Sequence, residues 1–399
     1  MRKAAGAIAL KTVVHRLAGE LRKEVINHRR YLHMHPELSF EEKGTAEYLA
    51  SVLRDMGLRF KRLGGTGLSG AISGKKGASS TIALRADMDA LPITEANKVS
   101  YRSRNDGVMH ACGHDVHMSC LLGALQILNE IKSELKINVR FIFQPGEEKL
   151  PGGAKLMIEK GALTNPKPKA IIGQHVYPLL PAGHVGFRSG MYMASSDEIY
   201  IAVIGKGGHA AIPQDTIDPV VVASHLVIAL QQIVSRRSDP TIPSVLSFGQ
   251  ISGAGATNVI PDRVSLAGTF RTFDERWRKR AHKEIRQLAT QLCNSMGAKC
   301  QIEIRVGYPS LKNNENLTEQ LRLHAQEYLG GDHVHDLPMR LTSEDFSHYT
   351  HVVPGCFYRL GTGNPKKGIT PGLHTPTFDV DEDALVTGMG LMAWMALSA

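Results

Sequence analysis

Between Met109 and His117 the chain places three histidines, a cysteine and an aspartate within nine positions. A buried polar side chain without a partner costs roughly 1–3 kcal/mol, so such a cluster is expensive to keep in an ordinary core. Imidazole and thiolate are also the ligands that zinc-like divalent ions prefer. The run therefore reads as the heart of a metal site. Glu147-Glu148 adds two carboxylates. Such a pair suits a division of labour, one carboxylate on metal and the other free as general base. Two divalent ions held by histidine, carboxylate and thiolate would activate a shared water, lowering its pKa to about 7. Asp87 and Asp115 suit the task of accepting an N–H from a ligating imidazole and fixing its tautomer. His110 and His117 read as supports rather than ligands.

The elements that must position these residues follow from periodicity. Residues 11–32 and 45–56 carry helical patterns, the second ended by Gly57. Short apolar runs at 81–84, 139–143 and 170–172 read as strands, and each stops at a chemically loaded cluster: 85–89, 144–148 and 173–175. A helix is expected over 115–135. This is the rhythm of an α/β sheet. Ligands in open α/β sheets bind beyond the carboxyl ends of strands. Three strand ends and one helix start thus deliver Asp87, Glu147, Glu148, His175, Cys112 and His114 to one rim.

From about residue 195 the texture changes. Strands at 197–204, 245–251, 264–272 and 300–306 alternate with helices at 218–236 and 275–296, with a Gly-rich turn at 205–209. That order is a small two-layer sandwich. A strand at 356–360, His374 in its Gly- and Pro-containing turn, and a helix over 382–397 complete the chain. The expected fold is α/β. A catalytic domain with a mixed, mainly parallel sheet flanked by helices spans residues 1–192 and 308–399, interrupted by a smaller α+β domain at 193–307.

Composition bounds the function. The 399 residues are 42% hydrophobic and 21% charged, as in a soluble globular protein. Lys and Arg exceed Asp and Glu by 47 − 38 = 9, but the excess is spread out, with no zinc-finger spacing and no basic–aromatic interleaving. No nucleic-acid partner is expected. No apolar stretch reads as transmembrane, and residues 1–10 make a poor signal peptide. Five cysteines without a CxxC pair indicate a reducing, cytoplasmic compartment.

The motifs Arg85–Pro92, Cys112-Gly113-His114-Asp115, Gln144–Glu148, Gly173-Gln174-His175 and Leu373-His374-Thr375-Pro376 occur in this order. Together they resemble the metallopeptidases of the aminoacylase and hippurate hydrolase type, which include plant indole-acetyl-amino-acid hydrolases and bacterial carboxypeptidases. The similarity runs from about Arg30 to the C-terminus, and Leu32–Ser39 matches a segment that neighbours the site. The resemblance implies that Cys112, His114, Glu148, His175 and His374 hold two divalent ions, Zn²⁺ or Mn²⁺ with Co²⁺ as an alternative. It implies that Glu147 is the general base. It further implies that the inserted domain is a lid that forms a homodimer or homotetramer. His209 would reach a neighbouring subunit's site to stabilise the oxyanion. Asn258 and Arg271 would hold the substrate carboxylate. The expected substrate is an N-acyl amino acid or a small peptide-like amide. The alternative is a catalytically silent protein that binds acyl amino acids on the same fold.

Overall fold

The computed structural model describes residues 2–76 and 78–398; Met1, Gly77 and Ala399 lie outside the described residues. The chain divides into two compact units. Unit 1 comprises Met1–Gly190, Lys312–Pro338 and Asp345–Ala399, and unit 2 comprises Met191–Leu311 and Met339–Glu344. Nothing in the local sequence marks the short return of Met339–Glu344 to unit 2.

Unit 1 opens with α1 (Arg2–Met34), α2 (Lys43–Asp55), β1 (Phe60–Leu63), β2 (Gly67–Ile72), β3 (Thr81–Asp87) and α3 (His114–Glu130). It continues with β4 (Asn138–Gln144), α4 (Gly153–Glu159), β5 (Ala170–Pro181) and β6 (Val185–Phe187). Unit 2 contributes β7 (Asp197–Ile204), β8 (Gly208–His209), α5 (Pro219–Gln232), β9 (Ser244–Gly253), β10 (Val259–Ile260), β11 (Arg263–Thr272), α6 (Glu275–Ser295) and β12 (Lys299–Val306). Unit 1 resumes with α7 (Glu315–Leu329), β13 (Val334–Asp336), β14 (Gly355–Gly363) and α8 (Ala384–Ser398).

The sheet of unit 1 runs β1-β2-β4-β3-β5-β14-β6-β13. Its centre, from β4 to β14, is parallel. The β1–β2, β2–β4 and β14–β6 pairs are antiparallel, so the sheet is mixed. Every residue of β3 is buried, as expected of a strand covered on both faces. α3 packs against α1 and α8. Most of α3 is buried, and α8 carries no charged residue, which suits helices enclosed by others. One strand is longer than its apolar run. β3 pairs with β5 only as far as Arg85↔Gly173, but β14 accompanies β5 to Gly363↔Pro181. The hydrogen bonds of β14 keep the chain extended past residue 172. His175 consequently stands inside the strand rather than after it.

Unit 2 is an antiparallel sheet, β9-β11-β7-β12. Ile199, Ile201 and Val203 alternate inward on β7, and α6 presents Trp277, Ala281, Ile285, Ala289 and Cys293 at four-residue spacing to the same core. Asp218 and Asp274 cap the two helices by accepting from Val220 N at 2.8 Å and Trp277 N at 2.6 Å. α5 runs on as a π turn to Arg237. Contrary to the sequence reading, Pro219–Arg237 is long and apolar enough, by length and composition, to cross a membrane. Here Val222, Ala223, Leu226, Leu230 and Ile233 are buried in the core of unit 2, which accounts for part of the apolar run, while Val220, Val221 and Ile228 are exposed.

Candidate metal centre

Four segments of unit 1 deliver the donors. Gly113 takes a left-handed conformation (φ 78°) that caps α3, so the chain turns sharply between Cys112 and His114. A Cβ there would lie 2.5 Å from Val176 Cγ2. After β4, Gly146 (φ 58°) turns the chain so that Glu147 and Glu148 follow. β5 carries His175, and His374 is a non-glycine residue at φ 60°, its N–H donating to Ala111 O at 2.8 Å.

The donors converge. Cys112 Sγ lies 3.4 Å from His175 Nε2 and 3.3 Å from His374 Nε2. Glu148 Oε1 lies 3.4 Å from His374 Nε2 and 3.8 Å from His114 Nε2. Overlapping triads join them: Cys112, His114 and His175; Cys112, Glu148 and His374; His114, Glu147 and Glu148. All five residues expected as ligands are thus brought together, with Glu147 beside them. His374 has a 53% exposed side chain, whereas Cys112, His114 and His175 are buried.

Electrostatics and satisfaction both fit a cation. Among the described residues, His114 Nε2 and Glu148 Oε1 are buried without a hydrogen-bond partner. Burial opposes charge on His114, yet Asp87, Asp89 and Glu148 outweigh it and push its pKa up to about 10. Burial, then the carboxylates of Glu148, Glu147 and Asp87, push the Cys112 thiol well up. The pocket therefore draws positive charge towards its donor atoms. Divalent ions answer that demand with the N, O and S donors present.

The surrounding network fixes which groups can bind. His117 Nδ1 donates to Asp87 Oδ1 at 2.6 Å, and its Nε2 accepts from Val176 N at 2.9 Å. Both ring nitrogens are engaged, so His117 is a support. Asp87 also accepts from Arg85 Nη1 at 2.7 Å and lies 3.7 Å from His114 Nε2. Asp115 does not meet a ligating imidazole. Its Oδ2 accepts from Arg29 Nε at 2.9 Å and His33 Nδ1 at 2.8 Å, which ties α1 to the start of α3. The carboxylate beside His114 Nδ1 is instead Asp89, at 3.3 Å. Asp89 also accepts from the backbone of Glu147 (3.0 Å) and Glu148 (2.9 Å). Glu42 accepts from Gly146 N at 2.8 Å, and Asp345 N donates to Glu147 Oε1 at 3.4 Å. Sequence reasoning missed Asp89, Glu42 and Asp345. Asp89 had a signal: it sits two residues beyond Asp87 at a strand end.

The other candidates lie in unit 2. His209 on β8 pairs with Val259 on β10, next to Asn258, whose carbonyl accepts from Ala210 N at 3.0 Å. His209 Nδ1 accepts from Ala211 N at 3.1 Å, so in the neutral ring the proton is on Nε2. Arg271 lies on β11, and its Nη1 donates to Leu341 O at 3.0 Å.

Comparison with known proteins agrees with this geometry. The profile described as peptidase family M20/M25/M40 matches residues 83–398. The chain belongs to this family. This M20 protein is a metal-dependent hydrolase of the amidohydrolase and peptidase kind. It is 39% identical over 373 residues to IAA-amino acid hydrolase ILR1-like 2 of Arabidopsis thaliana, covering 92% of this chain and 83% of the relative. It is 38% identical over 367 residues to N-acetyl-L-cysteine deacetylase of Bacillus subtilis, covering 92% and 86%. Among solved structures, Bacillus subtilis YXEP, described as a dinuclear metal binding peptidase of the M20 family, superposes with a TM-score of 0.80. That match has 33% identity over 95% of this chain and 98% of the other.

Proposed function

We propose that this M20 hydrolase cleaves the amide bond of N-acyl amino acids, or of small peptide-like amides that carry a free carboxylate. The observation that carries the reading is the meeting of Cys112 Sγ with His175 and His374 beside Glu148, next to a second carboxylate, Glu147. Cys112, His114, Glu148, His175 and His374 would hold two divalent ions. Zn²⁺ suits the thiolate and imidazoles, with Mn²⁺ or Co²⁺ as alternatives. Ions held by these residues would supply Lewis acidity to the scissile carbonyl and to a water. Glu147 takes the proton of that water and returns it to the leaving amine. The Asp345 N–H and the Asp89-bound loop backbone hold Glu147 for this task.

His209, with its proton on Nε2, would donate to the tetrahedral oxyanion in the site of a partner subunit. Asn258 and Arg271 would grip the substrate carboxylate, for which the guanidinium fork retains further donors. A homodimer or homotetramer through unit 2 is supported by Val220, Val221 and Ile228 on α5, which expose 43%, 47% and 72% of their surface. All five cysteines are thiols, which supports a reducing compartment such as the cytoplasm.

The test is amino-acid release from N-acetyl and N-benzoyl amino acids by metal-stripped protein reconstituted with Zn²⁺, Mn²⁺ or Co²⁺. Activity restored by metal supports the reading. Protein that takes up metal and binds acyl amino acids, yet releases no product from any of them, is the silent binder instead.

A further inference from the structure

A second histidine cluster in unit 1 shares no residue with the metal centre. β6 and β13 run parallel, with Val185 opposite Val334. One step earlier, His184 and His333 stand side by side. His333 ends the 3₁₀ turn that leads into β13 and His335 lies within β13, and the rings of both meet that of His184. β13 is the edge strand of the sheet, and all three side chains are half-buried. The His184 and His333 rings stack with centroids 4.5 Å apart, and His335 lies 5.1 Å from His184. His184 Nδ1 and His335 Nε2 share one hydrogen bond of 2.9 Å. His333 Nδ1 donates to Gly183 O at 3.1 Å, which leaves the lone pair of the neutral ring on Nε2.

We propose that His184, His335 and His333 form a surface site for one transition ion of the Zn²⁺, Ni²⁺ or Cu²⁺ class. Imidazole suits these ions. Two nitrogens bound to one tetrahedral ion at about 2.0–2.1 Å stand roughly 3.3 Å apart. The His184–His335 pair, at 2.9 Å, needs only a small opening to admit the ion. The proton now between the two nitrogens moves, through solvent, to the outward nitrogen of its own ring. Both imidazoles stay neutral, and no net proton is released. His333 brings in Nε2 by turning its ring and giving up the Gly183 carbonyl, and water completes the shell. Burial first, then the neighbouring His333 and His335, hold His184 below the usual histidine range. Its ring therefore stays available to a metal at neutral pH.

The test uses full-length protein carrying its complete set of catalytic ions, verified by elemental analysis before and after. Cu²⁺ is titrated in and followed by electron paramagnetic resonance. The expected result is one extra equivalent with nitrogen hyperfine structure, absent from His184→Ala and His335→Ala and weakened in His333→Ala. Zn²⁺ is expected to compete for the same equivalent. Thermal melts and amidase rates unchanged in the variants exclude misfolding. Wild-type protein that takes up no extra Cu²⁺, or a His184→Ala/His335→Ala double variant that takes it up as well as wild type, overturns the proposal.

Discussion

Glu147 and Glu148 are adjacent in sequence and differ in what surrounds them. Glu148 points an unsatisfied oxygen at His114 and His374, whereas Glu147 is met by the Asp345 N–H. The two should separate in one pair of experiments. Glu147→Gln is expected to lower kcat by about 10²–10⁴-fold while metal content holds, and Glu148→Gln to lose metal as well as activity. Elemental analysis alongside the assay reads the difference; a Glu147→Gln protein with near-normal turnover removes the base. Asp89 acts on both, through His114 and through two backbone amides. Asp89→Asn should weaken metal binding by about 10–100-fold, seen as a higher chelator sensitivity. Cys112, His114, Glu147 and Glu148 were legible in the sequence because they cluster at a helix start and a strand end, whereas His374 entered the ligand set only through the family resemblance. Asp89 carried only the weaker signal of its place beyond Asp87, because two of its partners are main-chain N–H groups, which every residue has. The partners of Asp115 were not legible, since Arg29 and His33 lie more than eighty positions away in the chain.

Elements are legible where one face is buried, and less so where a neighbour decides. β7 falls on residues 197–204 as its alternation demands, while β5 outruns its apolar segment because β14 continues beside it. Turn geometry is the tightest constraint near the centre. Gly146 has φ 58°, and a Cβ on it would sit 2.3 Å from Phe40 Cε1. Gly146→Ala should cost roughly 1–3 kcal/mol in urea unfolding and depress kcat through the displaced Glu147. In unit 2, Asp197 joins β7 to α6 by accepting from Arg278 at 2.6 and 2.9 Å and from His282 at 2.6 Å. Burial alone would raise this carboxyl, but the bonds from His282 and Arg278 outweigh it and hold the group below its ordinary value of 3.8. A depressed native pKa means that the unfolded chain takes up the proton first. The stabilisation is complete above about pH 5 and is lost as pH falls through 3.8 and below. Asp197→Asn should therefore lower the melting temperature at neutral pH, with a loss of about 3–5 kcal/mol, and flatten the acid limb of the stability curve. A wild-type acid limb that the variant reproduces would remove this assignment.

For the assembled protein, the proposed reach of His209 into a partner's site has a direct test. Glu147→Gln and His209→Ala proteins are each expected to be inactive, the second by about 10²–10³-fold. Unfolded together and refolded as random dimers, they should recover roughly a quarter of wild-type activity, because one site per mixed dimer then has both groups intact. No recovery would mean that His209 serves its own chain or none. The insertion that carries His209 also separates the candidate ligands, with His374 lying 262 positions after Cys112. During translation the ribosome must therefore add all of unit 2 before His374 is made and can join the other four candidate ligands. On the proposed ligand set, a nascent product stalled within unit 2 would carry the thiol and two of the histidines without the third, so metal loading would wait until the chain has left unit 2.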